Sequence, residues 1–84
     1  MRDKEKLKKL IKYRSTHRGI KEMDLLLGNF VKKNINLFNL KELLDLYNLI
    51  QIDDEILKNW FVNNKNHGSI PINKVSKMMK KFKL

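Results

Sequence analysis

The residues best suited to act on another molecule are Arg18, Gly19 and Glu22, which stand in the order Arg-Gly-x-x-Glu. Arginine offers a planar fork of N–H donors, and glutamate offers a carboxylate that accepts such bonds. The glycine between them has no side chain, so another backbone can approach closely there. On one helix Arg18 and Glu22 would share a face, but arginine before glutamate is the weaker order for such a pair. The motif therefore predicts a docking surface more than a contribution to folding.

Residue types needed for catalysis or metal binding are scarce. The chain has no cysteine and only two histidines, His17 and His67, which are far apart in sequence. Disulfides, thiolate metal sites and cysteine nucleophiles are therefore excluded. No nucleophile is paired with a base, and no glycine-rich loop opens a helix to hold a pyrophosphate. The sequence predicts a protein that is not an enzyme, with no metal site and no stably bound cofactor.

The charge of the chain is strongly basic. Among its 84 residues, 19 are Lys or Arg and 9 are Asp or Glu, which gives a formal charge of +10. Such a charge is typical of nucleic-acid binders. Nearly all of it is lysine, however, whereas phosphate and base recognition favours arginine, and the abundance of Asn and Ile indicates an AT-rich coding bias. No nucleic-acid partner is expected. A small lysine-rich helical nucleic-acid-binding or antitoxin-like interaction protein is the alternative.

No segment of the sequence indicates a membrane or secreted destination. The longest apolar runs, such as residues 25–27, are far too short to cross a bilayer. The first residues mix acids with lysines and contain no apolar stretch, unlike a signal or transit peptide. We therefore expect no membrane insertion and a soluble protein of the bacterial cytoplasm.

Helical periodicity runs through the whole chain, and no segment alternates with a period of two. The predicted fold class is all-α, a compact bundle of five short helices in a single domain over residues 1–84. The helices are expected at about 4–16, 18–33, 39–51, 54–63 and 72–83. A candidate N-cap precedes four of them: Asp3, Asn39, Asp53 and Asn73. Asn39 is expected to form a capping box with Glu42.

Each helix carries an apolar stripe expected to face the core. In the second helix Arg18 and Glu22 fall nearly opposite the stripe, so both are predicted to face solvent, with Leu25 exposed beside them and Gly19 at the corner with the first helix. The stripe of that helix is Ile20, Met23, Leu27, Phe30 and Val31. The other stripes are Leu7, Leu10, Ile11 and Arg14 in the first helix, Leu40, Leu43, Leu44, Tyr47 and Ile50 in the third, Ile56, Leu57, Trp60 and Phe61 in the fourth, and Ile72, Val75, Met79 and Phe82 in the fifth.

The order of features from Tyr13 to about Lys65 is more specific than the pentapeptide alone. A basic lead-in precedes the RGxxE turn, and then come a helix of the form LLLxxF, a leucine–tyrosine helix, an acidic turn and a helix carrying tryptophan. This order resembles the small factors that assist covalent FAD attachment to the flavoprotein subunit of succinate dehydrogenase. His17 and Met23 depart from the residues more usual in that family.

The resemblance implies a non-catalytic assembly factor whose partner is that flavoprotein subunit. In the family the Arg, Gly and Glu of the motif meet the flavoprotein, and they fall on Arg18, Gly19 and Glu22, while a recurring aspartate falls on Asp24. With Leu25, these five are the expected partner-binding residues. The factor is expected to act on the partner's FAD without holding it stably, and to be a monomer when free. Whether fumarate reductase is a second client, whether FAD is contacted directly, and what the basic last helix does stay open.

Overall fold

The computed structural model describes residues 2–82, which form five α-helices and one 3-10 turn, with no strand in that part of the chain. The all-α prediction is confirmed. The helices are α1 (Arg2–Thr16), α2 (Lys21–Asn34), α3 (Leu40–Ile50), α4 (Asp54–Phe61) and α5 (Lys74–Lys81), and the 3-10 turn Ile35–Leu37 follows α2. The predicted end of the last helix at residue 83 lies outside the described residues.

One apolar core joins all the helices. Each contributes a fully buried side chain to it: Ile11 from α1, Phe30 from α2, Leu46 from α3, Leu57 from α4 and Met79 from α5. Helix α1 packs mainly on α2 and α3, and α5 packs on α3. The Cα radius of gyration is 11.9 Å, against about 12 Å expected for a folded domain of this length. None of the helices within residues 2–82 combines enough length and apolar character to span a membrane.

Helix starts are fixed by the caps that the sequence predicts at three places. Asn39 accepts from the backbone N–H of Glu42 at 2.8 Å, and Glu42 accepts from the backbone N–H of Asn39 at 2.9 Å, which completes the capping box. Asp53 caps α4, and Asn73 forms a second capping box with Ser76 at the start of α5. Each cap satisfies backbone donors that the first helical turn leaves without partners.

Glu42 has a second role beyond its cap. The backbone hydrogen bond at Asn39 is the main cause that lowers the pKa of the Glu42 carboxyl below its ordinary value, and the side chain of Lys74 lowers this pKa further. The Lys74 ammonium lies 3.0 Å from the carboxylate. This ion pair therefore connects the start of α3 to the start of α5.

Helix α5 is also attached to α4. The Lys80 ammonium donates to the backbone carbonyl of Trp60 at 2.6 Å and lies 4.9 Å from the centre of its ring. Trp60 is a buried core residue, as predicted. Two lysines of the basic last helix, Lys74 and Lys80, are therefore engaged with the protein itself.

The second helix begins later than the sequence predicts. Helix α2 starts at Lys21 instead of at Arg18 or Gly19, because Ile20 is extended, with φ −114° and ψ 109°, and Gly19 has φ +85°. Arg18 thus precedes a turn and does not lie on α2 with Glu22. The premise that these two residues share one helical face is wrong.

Some residues predicted for the core stripes are exposed: Leu10, Arg14, Leu40, Leu44 and Ile72. Ile72 is 85 % exposed because α5 begins two residues later, at Lys74. In α3 the buried row includes Leu43, Leu46 and Leu49, which turns Leu44 outward. Asp3 lies inside the first turn of α1, which begins at Arg2, so it is not the N-cap.

Candidate partner-docking site

The turn between α1 and α2 presents Gly19 at the surface. Its φ of +85° lies in a region that L side chains rarely adopt, and a Cβ built there would meet no atom of the protein within 4 Å. The glycine is therefore needed for its backbone conformation, and not because the protein itself fills the space. Any side chain at this position would project outward, where a partner's backbone could otherwise lie.

Asp24 closes this turn from the side of α2. One of its carboxylate oxygens accepts from the backbone N–H of Arg18 at 3.0 Å. Asp24 lies in the first turn of α2, where the exposed N–H groups of the helix favour a negative charge. Its carboxylate is therefore engaged with the chain itself and shapes the approach to Gly19.

The guanidinium of Arg18 lies inside the protein, which makes the predicted outward orientation wrong. Its Nη1 donates to the carbonyl of Ile50 at 2.7 Å, and its Nη2 donates to the carbonyl of Ile52 at 3.2 Å. Nη2 also forms an ion pair with Asp54, and the side chain is only 9 % exposed. The fork thus spans the corner between α3 and α4, which we define as residues 50–54.

The end of α3 provides a backbone carbonyl that needs a hydrogen-bond donor from outside the helix. Ile50 is the last residue of α3, and the final carbonyls of a helix have no partners within it. Arg18 supplies charged donors to this end, where the helix dipole also favours a cation. No pattern in the sequence indicates the bonds to Ile50 and Ile52, which lie 32 and 34 residues away from Arg18. Asp54 lies in the first turn of α4, a position that favours an acidic residue without any partner.

Glu22 and Leu25 are both exposed on α2, Leu25 by 55 %. They are three residues apart on the helix and are therefore neighbours on its surface. The side chain of Glu22 makes no hydrogen bond or ion pair with another described residue. We call Gly19, Glu22 and Leu25 the docking patch.

A groove of about 580 Å³ lies between α1 and the α3–α4 corner. On its α1 side the ring of Tyr13, 62 % exposed, stacks on the ring of His17 with centroids 4.1 Å apart. Arg14 donates across the groove to Gln51 at 3.4 Å. This exposed aromatic pair was not anticipated, because His17 follows the last residue of α1 and only the folded chain shows that its ring meets that of Tyr13.

Charged clusters suited to a metal are missing from the described part of the chain. No group of three or more His, Asp or Glu side chains within residues 2–82 could hold a metal ion. The exposed members of the docking patch are a glycine turn, one carboxylate and one apolar side chain.

Residues 9–83 match the model of a protein family described as the flavinator of succinate dehydrogenase. The chain belongs to this family. The resemblance inferred from the RGxxE motif and the order of elements after it is thereby confirmed.

Three curated relatives of this flavinator family member carry descriptive names. The chain is 38 % identical over 50 residues to the "FAD assembly factor SdhE" of Acetobacter pasteurianus, covering 60 % of this chain and 46 % of the relative. It is 41 % identical over 58 residues to the "Succinate dehydrogenase assembly factor 2, mitochondrial" of Dictyostelium discoideum, covering 69 % and 41 %. It is 31 % identical over 69 residues to the "FAD assembly factor SdhE" of Wigglesworthia glossinidia brevipalpis, covering 82 % of both. The matched region thus covers less than half of the length of each of the first two relatives. No solved structure matches the chain.

In the fold of this flavinator family member, the five residues predicted to bind a partner fall into two groups. Gly19, Glu22 and Leu25 are exposed, whereas Arg18 and Asp24 are engaged in holding the turn. The structure therefore leaves the docking patch exposed, while the charged groups of Arg18 and Asp24 are bonded to the protein itself. Contact with a partner stays a prediction for all five.

Proposed function

We propose that this protein is a non-catalytic assembly factor that binds the flavoprotein subunit of succinate dehydrogenase and promotes covalent attachment of FAD to a histidine of that subunit. Membership of the flavinator family and the names of the three relatives support this function. The observation that carries the proposal for this chain is the exposed Gly19 turn, followed by the exposed side chains of Glu22 and Leu25 on α2.

The bond-forming chemistry belongs to the flavoprotein and its FAD, and this chain contributes binding. A factor that binds the arrangement competent for attachment more tightly than other arrangements increases the population of that arrangement. Correct alignment of the reacting groups then raises the rate. None of these effects requires a nucleophile or a base from the assembly factor.

Each member of the docking patch has a distinct part in this binding. Gly19 lets a partner backbone approach, because nothing projects from its Cα. The Glu22 carboxylate accepts a hydrogen bond or an ion pair from a donor of the flavoprotein. Leu25 supplies the apolar contact; burial of a fully exposed leucine is worth about 1.5–3 kcal/mol, and Leu25, 55 % exposed in the free protein, gains roughly half of that.

A bulky residue at Gly19 tests the site directly. Gly19→Arg should abolish capture of the flavoprotein and its covalent flavin fluorescence after co-expression, because the side chain occupies the contact surface. The variant should still fold, since a Cβ at this position meets no atom of the protein within 4 Å, although its positive φ costs about 1–2 kcal/mol. Circular dichroism checks the helical content.

Gly68→Arg is the control for adding an exposed arginine, at a glycine without a positive φ. Gly68 is also exposed, and a Cβ there likewise meets nothing within 4 Å. This variant should bind the flavoprotein and support flavin attachment like the unmodified protein. Normal binding and flavinylation by Gly19→Arg would show that the docking patch is wrongly assigned.

A monomeric state when free and a place in the bacterial cytoplasm belong to the same proposal. The exposed docking patch needs no second copy to complete it, and two of the relatives are bacterial assembly factors. Sedimentation equilibrium should give a mass close to the 10.1 kDa of one chain. A mass near twice that value would contradict the monomer.

A further inference from the structure

Arg18 belongs to the motif by sequence, yet its guanidinium is turned away from the docking patch. We propose that Arg18 is a positioning residue: it binds the α3–α4 corner, and so holds the Gly19 turn in the conformation that the flavoprotein binds, without touching the flavoprotein itself. This role rests on the proposed function and deepens it, because it assigns different tasks to neighbouring residues of one motif.

The bonds of Arg18 leave little of its fork for a partner. Both terminal nitrogens donate to backbone carbonyls, at Ile50 and Ile52, and Nη2 also pairs with Asp54. The remaining nitrogen, Nε, is buried and has no hydrogen-bond partner among the described residues. A partner that took the guanidinium would have to remove it from these acceptors and leave the end of α3 without its donors.

The backbone of Arg18 is held as firmly as its side chain. Its N–H donates to Asp24 in the first turn of α2, while its guanidinium reaches the α3–α4 corner. Gly19 is the next residue, with φ +85°. The direction in which the turn leaves α1 is therefore set from two sides, by α2 through Asp24 and by the corner through Arg18.

A residue far outside the motif should consequently affect partner binding. Asp54 is the charged acceptor of Arg18, and its side chain is 38 % exposed. If Arg18 acts by holding the Gly19 turn in place, loss of the Asp54 charge should weaken binding of the flavoprotein, and loss of the Arg18 fork should weaken it to a similar extent. If Arg18 contacts the flavoprotein, Asp54 should be dispensable.

The test compares Arg18→Lys, Asp54→Asn and the double variant, with the purified flavoprotein subunit as the binding partner. Lysine keeps the positive charge but cannot form the fork, so Arg18→Lys is a milder change than Arg18→Ala. Each single variant should raise Kd about tenfold. The double variant should bind the flavoprotein with about the same Kd as the single variant that binds less tightly, because both changes break the same connection.

Three control variants separate this role from other effects. Lys9→Gln removes an exposed charge from α1, and Glu55→Gln removes an exposed acid from the same first turn as Asp54. Asn73→Ala removes the cap of α5 and lowers thermal stability away from the turn. All three should bind within about twofold of the unmodified protein, at a temperature where circular dichroism shows every variant folded.

The amide resonance of Gly19 gives a readout that needs no partner. In a ¹⁵N–¹H spectrum Asp54→Asn should shift the Gly19 resonance, whereas Asn73→Ala should leave it in place. An unchanged Gly19 resonance, normal binding by Asp54→Asn, or multiplied losses in the double variant would each overturn the positioning role. Failure of the unmodified protein to bind the flavoprotein would instead overturn the proposed function, and the Gly19 resonance would still test Arg18.

Discussion

At the scale of single residues, the motif contains one charged side chain that is bonded to the protein and one that is exposed, and the sequence alone does not distinguish them. Arg18 and Glu22 are both charged, yet one is 9 % exposed and bonded to the protein while the other lies on the surface. The difference follows from the backbone of Gly19 and of the extended Ile20, which together take Arg18 off α2. The motif is therefore part internal support and part contact surface.

Leu25 gives a residue-scale prediction for the contact surface. Leu25→Asp should weaken capture of the flavoprotein about tenfold or more, because it replaces an apolar contact with a charge that must lose water on binding. The free protein should unfold at nearly the same temperature, since Leu25 is already 55 % exposed. Isothermal titration with the flavoprotein subunit measures the affinity.

Leu37→Asp is the comparison variant for this prediction. Leu37 is 74 % exposed and lies in the 3-10 turn beyond the opposite end of α2. It should leave the affinity unchanged. Equal losses from both variants would indicate a general effect of added negative charge instead of a contact at Leu25.

At the scale of elements, the helices are joined by a few polar contacts in addition to the core. Arg18 connects the α1–α2 turn to the α3–α4 corner, Glu42 with Lys74 connects the starts of α3 and α5, and Lys80 connects α5 to α4. Helices α1 and α2 also approach closely at Gly28, where a Cβ would lie 3.0 Å from the methyl group of Thr16. Short helices in a small domain need such connections, because each buries little area by itself.

Glu42 gives an element-scale prediction about pH. Its pKa is lowered in the folded protein, chiefly by the backbone N–H of Asn39, so the ionised carboxylate favours the folded state. This stabilisation is present above the ordinary glutamate pKa and is lost as pH falls through the lowered one. Glu42→Gln should therefore lower Tm at neutral pH and flatten the acid side of the Tm-against-pH curve.

Lys74→Gln is the companion variant for this measurement. Lys74 is the second cause of the lowered pKa, so its loss should reproduce part of the effect and leave the cap intact. An acid limb of Glu42→Gln as steep as that of the unmodified protein would contradict the role of this carboxylate.

At the scale of the whole molecule, the most visible property is the formal charge of +10. It favours the alternative of a nucleic-acid binder, for which affinity falls steeply with salt because counterions are released. Little of the charge is arginine, and one of the three arginines, Arg18, is turned inward. We interpret the lysines chiefly as solvated surface.

A duplex titration at two salt concentrations tests this interpretation. We expect weak binding at low salt and no tight complex at physiological salt, as for any basic protein that lacks a recognition surface. A submicromolar complex that persists at physiological salt would favour the nucleic-acid alternative over the assembly factor.

The sequence by itself determined the features that depend on neighbours within about one helical turn. The helical period, the caps at Asn39, Asp53 and Asn73, the glycine corner and the exposure of Leu25 all follow from groups no more than a few residues apart. The family motif is equally local.

The tertiary structure alone decided where Arg18 goes and which apolar residues stay outside. The fork of Arg18 is satisfied by backbone carbonyls 32 and 34 residues away. Carbonyls are common to every residue, so no pattern of side chains marks them as its acceptors. Leu44 and Ile72 likewise have core-like character in sequence, but the register of α3 and the late start of α5 leave them exposed. Long-range packing thus separated the support of the docking patch from the patch itself.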